Sequence, residues 1–128
     1  MALERRLAHF EAEDGRVSEA ASAFLNADES ALARLASASQ EDADLLLGNQ
    51  TDETRALVSR AGAAGAFGAT SFGAGFGGSV WALVHRDEAT GVGQRWLQAY
   101  RAACPAAGER AEWFVARPAP GRLELPVT

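Results

Sequence analysis

The chain has 128 residues, 48% hydrophobic and 23% charged, which suits one compact domain and excludes a disordered or membrane-spanning chain. Twelve basic against seventeen acidic residues give a formal charge of −5 with no basic run, which argues against nucleic acid or an anionic membrane as partner. Cys104 is the single cysteine, so an internal disulfide or a cysteine-built metal site is excluded. All twelve basic residues are arginine; without lysine, a G-x-x-x-x-G-K-[ST] phosphate loop, a protein-kinase strand lysine and a Schiff base are excluded too. The N-terminus lacks the apolar core of a signal peptide, and the expected location is cytoplasmic.

Residues 3–25 predict a long helix, with Leu3, Leu7, Phe10, Val17, Ala21 and Phe24 on one inward stripe and Asp14 at its skipped position. Gly15 beside Asp14 marks a candidate kink. Asp28 is a good N-cap for a second helix over 29–40 that turns Leu32, Leu35 and Ala36 inward. Glu41, Asp42 and Asp44 invite a magnesium reading, but no glycine-shaped cage surrounds them and a solvated turn is expected. Leu45, Leu46 and Leu47 then bury against something, and Gly48-Asn49-Gln50 is a loop. Thr51 caps a third helix with Leu57, Ala61 and Ala64 on one face, ended by Gly62 and Gly65.

Phe67–Phe72 and Val80–Val84 are β-prone runs on either side of a glycine loop. A fourth helix over 89–103 carries Val92, Trp96, Leu97 and Tyr100 and stops at Pro105. Glu112–Arg117 predicts a third strand, and Leu123-Glu124-Leu125 a short edge strand or tail. The expected fold is α+β: an antiparallel sheet of three to four strands covered on one face by about four helices, with residues 1–128 as one domain. Trp81, Trp96 and Trp113 are expected in the core, His9 in a packing or interface role, His85 exposed and Cys104 structural.

The candidate site is the loop Gly73, Ala74, Gly75, Phe76, Gly77, Gly78 and Ser79. Four glycines in six residues exceed what a two-residue hairpin turn requires. Such a loop can aim several N–H groups at one point, an arrangement suited to a phosphate. The hydroxyls of Ser71 and Ser79 bracket it and could bond either an anion or the hairpin itself. Gly73, Gly75 and Gly78 formally satisfy G-x-G-x-x-G, but a strand-like run follows instead of a helix, which excludes a dinucleotide fold.

From Gly65-Ala66 to Val84 the sequence resembles the third signature motif of the GHMP small-molecule kinases, and galactokinases in particular. Arg6-Leu7-Ala8-His9, Glu13 and Arg16-Val17 resemble the R-x-x-H…E…R-V helix of that group, and Arg34-Leu35 with Ala38-Ser39 its R-L-M-x-A-S-H helix. Gln40 stands where that helix carries histidine, Asn49–Glu53 replace a C-P-E-L-D-like stretch, and Ala74 replaces a loop glycine. The resemblance implies a ferredoxin-like C-terminal domain of a sugar kinase using ATP and Mg2+, with the loop Gly73–Ser79 at a domain boundary. The ATP-cradling loop and the catalytic aspartate of the family do not occur in this sequence. The chain is therefore expected to contribute no catalytic residue and no metal ligand, to be inactive alone, and to pair with an N-terminal kinase domain or separate chain. A free-standing binding or regulatory module that self-associates is the alternative.

Overall fold

The computed structural model describes residues 2–119. They form α1 (Ala2–Leu25), α2 (Glu29–Asp42), a π turn (Ala43–Leu47), α3 (Asp52–Ala64), β1 (Gly68–Ser71), β2 (Val80–Leu83), a 3-10 turn (Arg86–Glu88), α4 (Ala89–Ala103) and the short α5 (Pro105–Gly108). Among these residues no helix is long and apolar enough to cross a membrane.

The helix boundaries follow local chemistry. Asp28 Oδ1 accepts from the Ala31 N–H at 2.9 Å and starts α2. Thr51 and Thr54 exchange side-chain-to-backbone bonds of 2.9 and 3.3 Å, a reciprocal cap that starts α3. Gly65, at φ +115°, closes α3 in a left-handed turn. Pro105 does more than stop α4, because it opens α5 at a position where its missing N–H is not needed.

β1 and β2 pair antiparallel with Gly68 opposite Leu83 and Ser71 opposite Val80. Gly68 and Thr70 share one parity and lie on α2: a Cβ on Gly68 would sit 3.4 Å from Ala36 Cβ, and the Thr70 hydroxyl bonds Gln40. Leu83 and Phe67 pack against a core of Ala23, Ala31 and Leu32 between α1 and α2. A second buried layer joins α3 and α4 through Ala61, Ala64, Val92 and Tyr100. The inward residues expected on α2, Leu32, Leu35 and Ala36, are buried. Thr54, one turn into α3, is also almost wholly enclosed.

Three expectations are corrected. Glu112–Arg117 forms no strand, and the sheet of the described residues has two strands rather than three or four. Propensity makes that segment strand-prone, but a strand also needs a neighbour with a free edge beside it. The Leu123–Leu125 strand lies outside the described residues. Leu45, expected to be buried, is exposed on the π turn.

The third correction concerns α1. Its apolar stripe faces solvent: Leu7 is 56%, Phe10 61% and Val17 69% exposed, and Leu3 and Phe24 are exposed as well. The helix instead turns a second stripe toward α2 and the π turn, in which His9, Glu13, Arg16, Ala20 and Ala23 recur at steps of 4, 3, 4 and 3. His9 and Ala23 are buried there. Arg16 pairs with Asp42 and, at 2.7 Å, with Glu13; Ser39 donates to Glu13 at 3.0 Å. Burial lowers the Arg16 pKa, yet the hydrogen bonds it donates to Asp42 and Glu13 outweigh it and hold the guanidinium above its usual value. Small and ion-paired residues let α1 approach α2 closely, which leaves the large apolar stripe outside. Leu7→Glu should therefore change the unfolding free energy by less than about 0.5 kcal/mol, whereas Leu35→Ala should lower it by about 2–5 kcal/mol. Urea unfolding followed by circular dichroism measures both, and equal losses would contradict this packing.

Candidate functional site

The glycine loop leaves β1 at Phe72 and enters β2 after Ser79, with the Phe72 N–H donating to the Ser79 carbonyl at 3.3 Å across its neck. Gly73, Gly75, Gly77 and Gly78 have φ of +83°, +82°, +117° and +94°, and Phe76 joins them at +60°. A left-handed phenylalanine carries a cost of about 1–2 kcal/mol relative to the usual regions. It persists because the surroundings hold it: the Phe76 N–H donates to the Asn49 carbonyl at 2.5 Å.

Asn49 carries the loop from behind. Its side-chain amide donates to the Ala74 carbonyl at 3.3 Å. A Cβ on Gly75 would lie 2.5 Å from Asn49 Cγ and 2.6 Å from the Asn49 backbone oxygen, so only glycine lets the loop come this close. Asn49 in turn belongs to a one-way amide chain. Gln50 Nε2 donates to Asn49 Oδ1 at 2.9 Å, and Gln40 Nε2 donates to Gln50 Oε1 at 2.9 Å. Gln40 Oε1 accepts from the Thr70 hydroxyl at 3.0 Å and the Ser71 N–H at 2.9 Å. Each carboxamide gives in one direction and takes from the other, so their orientations are mutually determined. The chain runs from β1 through the end of α2 to the tip of the loop. The π turn and Gly48 (φ +64°) deliver Asn49 and Gln50 into this buried position.

The outer side of the loop is open. Phe76 is exposed, and no atom would obstruct a Cβ on Gly73, Gly77 or Gly78. Among the described residues the N–H groups of Gly73, Ala74, Gly75, Gly77 and Gly78 have no hydrogen-bond partner. Backbone dipoles free to turn toward one point make a concavity for an anion. All seven residues expected at the site, Gly73 to Ser79, thus lie on one loop with an exposed side.

Beside the loop runs a trough of about 710 Å³. Its walls are Val80, Trp81 and Ala82 of β2 on one side and Glu112, Trp113 and Phe114 on the other. Trp96, Leu97 and Tyr100 of α4 form the floor. Trp113 rests on α4 where Gly93 has no side chain, since a Cβ there would lie 2.5 Å from its Cδ2. Trp81, Trp96 and Trp113, expected in the core, line this trough, and Trp81 is exposed. Tyr100 is enclosed at its base, and burial pushes its phenol above the usual pKa.

The acidic run before the loop does not converge. Asp42 is held by Arg16, and Asp44 by Arg55 at 2.7 Å, which keeps the Asp44 carboxyl below its usual pKa. Among the described residues no three His, Cys, Asp or Glu side chains are grouped to hold a metal ion. His85 lies 3.3 Å from Glu29 and more than half exposed, far from any triad arrangement.

Sequence reasoning missed Gln40, Asn49 and Gln50 as parts of the site. The visible signals were positional: Gln40 stands where the resembled helix carries histidine, and Asn49 and Gln50 are wedged between Gly48 and the Thr51 cap. Nothing local distinguishes buried carboxamides from a solvated loop.

No curated protein matches the chain. The family model described as GHMP kinases C terminal matches residues 20–102, well over half of the chain. That span takes in α2, the carboxamide chain, the hairpin with its open glycine loop and nearly all of α4. With the loop and the elements that carry it inside one match, the chain belongs to the GHMP kinase C-terminal family.

Proposed function

We propose that the chain serves as the C-terminal domain of a galactokinase-like, ATP-dependent sugar kinase. In this reading Gly73, Ala74, Gly75, Phe76, Gly77, Gly78 and Ser79 meet the phosphate groups where this domain faces an N-terminal kinase domain or a separate chain. The observation that supports it is a loop with an open outer side, five of whose N–H groups have no partner among the described residues, held in place by Asn49. Phosphoryl transfer depends on positioning and on stabilising charge spread over the phosphoryl oxygens. Prearranged backbone dipoles supply both without reorganising during the reaction. ATP and Mg2+ belong to the complete enzyme. Among the described residues Asp42 and Asp44 are each paired with an arginine and no acidic cluster forms; in this reading the magnesium ligand and the base come from the N-terminal kinase domain or separate chain.

The isolated chain should show no turnover with Mg-ATP and a sugar panel. In amide NMR titrations, inorganic phosphate and Mg-ATP should shift the Gly73, Gly75, Gly77 and Gly78 resonances before any others. A loop that stays silent while another region responds would overturn the assignment of the site.

The exposed stripe of α1 favours a second reading, a free-standing module that self-associates or pairs with a separate kinase chain. Sedimentation velocity decides on self-association: a monomer at all concentrations counts against it.

A further inference from the structure

Local energetics argue twice against Phe76. Its φ of +60° lies in the left-handed region, where glycine and asparagine sit at little cost and a bulky side chain does not. Packing into a core would offset that cost, but Phe76 is 74% exposed. A lone exposed apolar side chain needs no explanation. One held at positive φ does, because a smaller residue would fit the same bend with less strain. The bend itself is fixed. The Phe76 N–H is occupied by the Asn49 carbonyl, and the Ala74 carbonyl by the Asn49 amide, so the loop is pinned on both sides of Gly75. Phe76 is therefore not one of the five free donors, yet it stands among them. Gly75 and Gly77 lie one Cα step away on either side, about 3.8 Å. No aromatic ring packs against Phe76 among the described residues, and the space over Gly77 and Gly78 is open.

We propose that Phe76 is a specificity-determining residue, whose ring packs against the C–H face of the acceptor's sugar ring while neighbouring N–H groups hold the phosphoryl group. This rests on the reading of the loop as a phosphate site. The choice of acceptor over donor follows from connectivity. The acceptor hydroxyl bonds directly to the transferred phosphorus, so its ring carbons lie beside the phosphoryl oxygens. The adenine base is separated from the transferred group by a ribose and two further phosphates. A side chain adjacent to the phosphoryl-holding amides meets the acceptor first. A sugar ring carries its hydroxyls on the rim and C–H groups on a face. That face buries against a phenyl ring without stranding a polar group. An acyclic acceptor offers no such face and gains nothing from the ring. The pinned backbone holds the ring's base in place before the ligand arrives, which lowers the ordering cost of contact.

The test is an amide NMR titration of the full chain with galactose 1-phosphate, glycerol phosphate and AMP. The first two are phosphate monoesters of equal charge, one with a sugar ring and one without. The readout is their affinity ratio at the loop resonances, since Phe76 belongs to the loop and either affinity alone could shift with its shape. The parent chain should prefer galactose 1-phosphate by about fivefold. Phe76→Asn should bring the ratio to about one, and Phe76→Tyr, which keeps the aromatic face, should retain it. Asparagine suits positive φ, so the thermal midpoint of that variant should not fall. Phe76→Gly carries the same comparison if the asparagine variant fails to fold. A lowered midpoint with an unchanged ratio would make Phe76 structural and overturn the proposal. So would a ratio of one in the parent chain while the loop responds to both esters. A preference for AMP that depends on Phe76 would assign the ring to the donor's ribose and overturn it too. A loop silent to all three probes would overturn the phosphate reading itself, and this inference with it.

Discussion

Gln40→Leu is expected to lower the unfolding free energy by about 2–4 kcal/mol, the larger effect coming from the donors it abandons rather than the bond it deletes. The Ser71 N–H loses its acceptor, the Thr70 hydroxyl keeps only the long 3.4 Å bond to the Ser71 carbonyl, and Gln50 Oε1 loses its donor. Thr70 is buried, so water cannot replace the lost partner cheaply. Urea denaturation at constant slope measures this. Gln40→Glu separates orientation from stability. A carboxylate still accepts from Thr70 and Ser71 but cannot donate to Gln50. Gln50 must turn over, Asn49 must turn with it, and the Asn49 side-chain oxygen then faces the Ala74 carbonyl where its NH2 group had donated. The variant should lose less stability than leucine yet show faster exchange at the Phe76 amide. A loop as protected as in the parent chain would show that the carboxamides are not coupled.

Gly75→Ala is expected to be the most damaging single substitution in the loop, at about 2–4 kcal/mol, and Gly77→Ala much milder at about 1–2 kcal/mol. Both sit at positive φ, so both carry the left-handed penalty. Only at Gly75 would the new methyl group meet Asn49, at 2.5 Å from its side chain and 2.6 Å from its backbone oxygen, whereas Gly77 faces open space. The difference between the two isolates the cost of lifting the loop off its support. Adding Asn49→Gly to Gly75→Ala should recover only part of the loss, because the backbone oxygen remains. Full recovery would locate the whole conflict in the side chain. Thermal unfolding of the four variants under one condition supplies the comparison.

The punctuation of the fold was legible locally. Asp28, Thr51 and Gly65 act within a few residues of themselves, and the structure uses each as its chemistry suggests. The inward faces of α2 and α4 were legible for a related reason: each has one apolar stripe, so burial has one choice. α1 has two stripes at the same spacing, one large and apolar, one small and ion-paired. Hydrophobicity selects the first, but close packing on α2 and the partners Asp42 and Ser39 select the second. The strand expected over 112–117 failed in a different way. Its residues carry the preference for extension, but pairing depends on whether another edge lies beside it, which no local preference encodes.

By itself the sequence determined where helices begin and end, that a glycine-rich bend joins two β-prone runs, and that the chain contains no lysine. Those properties come from backbone angles, capping groups and residue identity, all short-range. Only the tertiary structure decided which stripe of α1 is hidden, that Gln40, Gln50 and Asn49 form one directed chain behind the loop, and that Trp81, Trp96 and Trp113 line a trough beside it. These depend on what residues distant in sequence bring to the same point, and there a hydrogen-bond donor or an apolar side chain takes its role from its neighbours rather than from its own type.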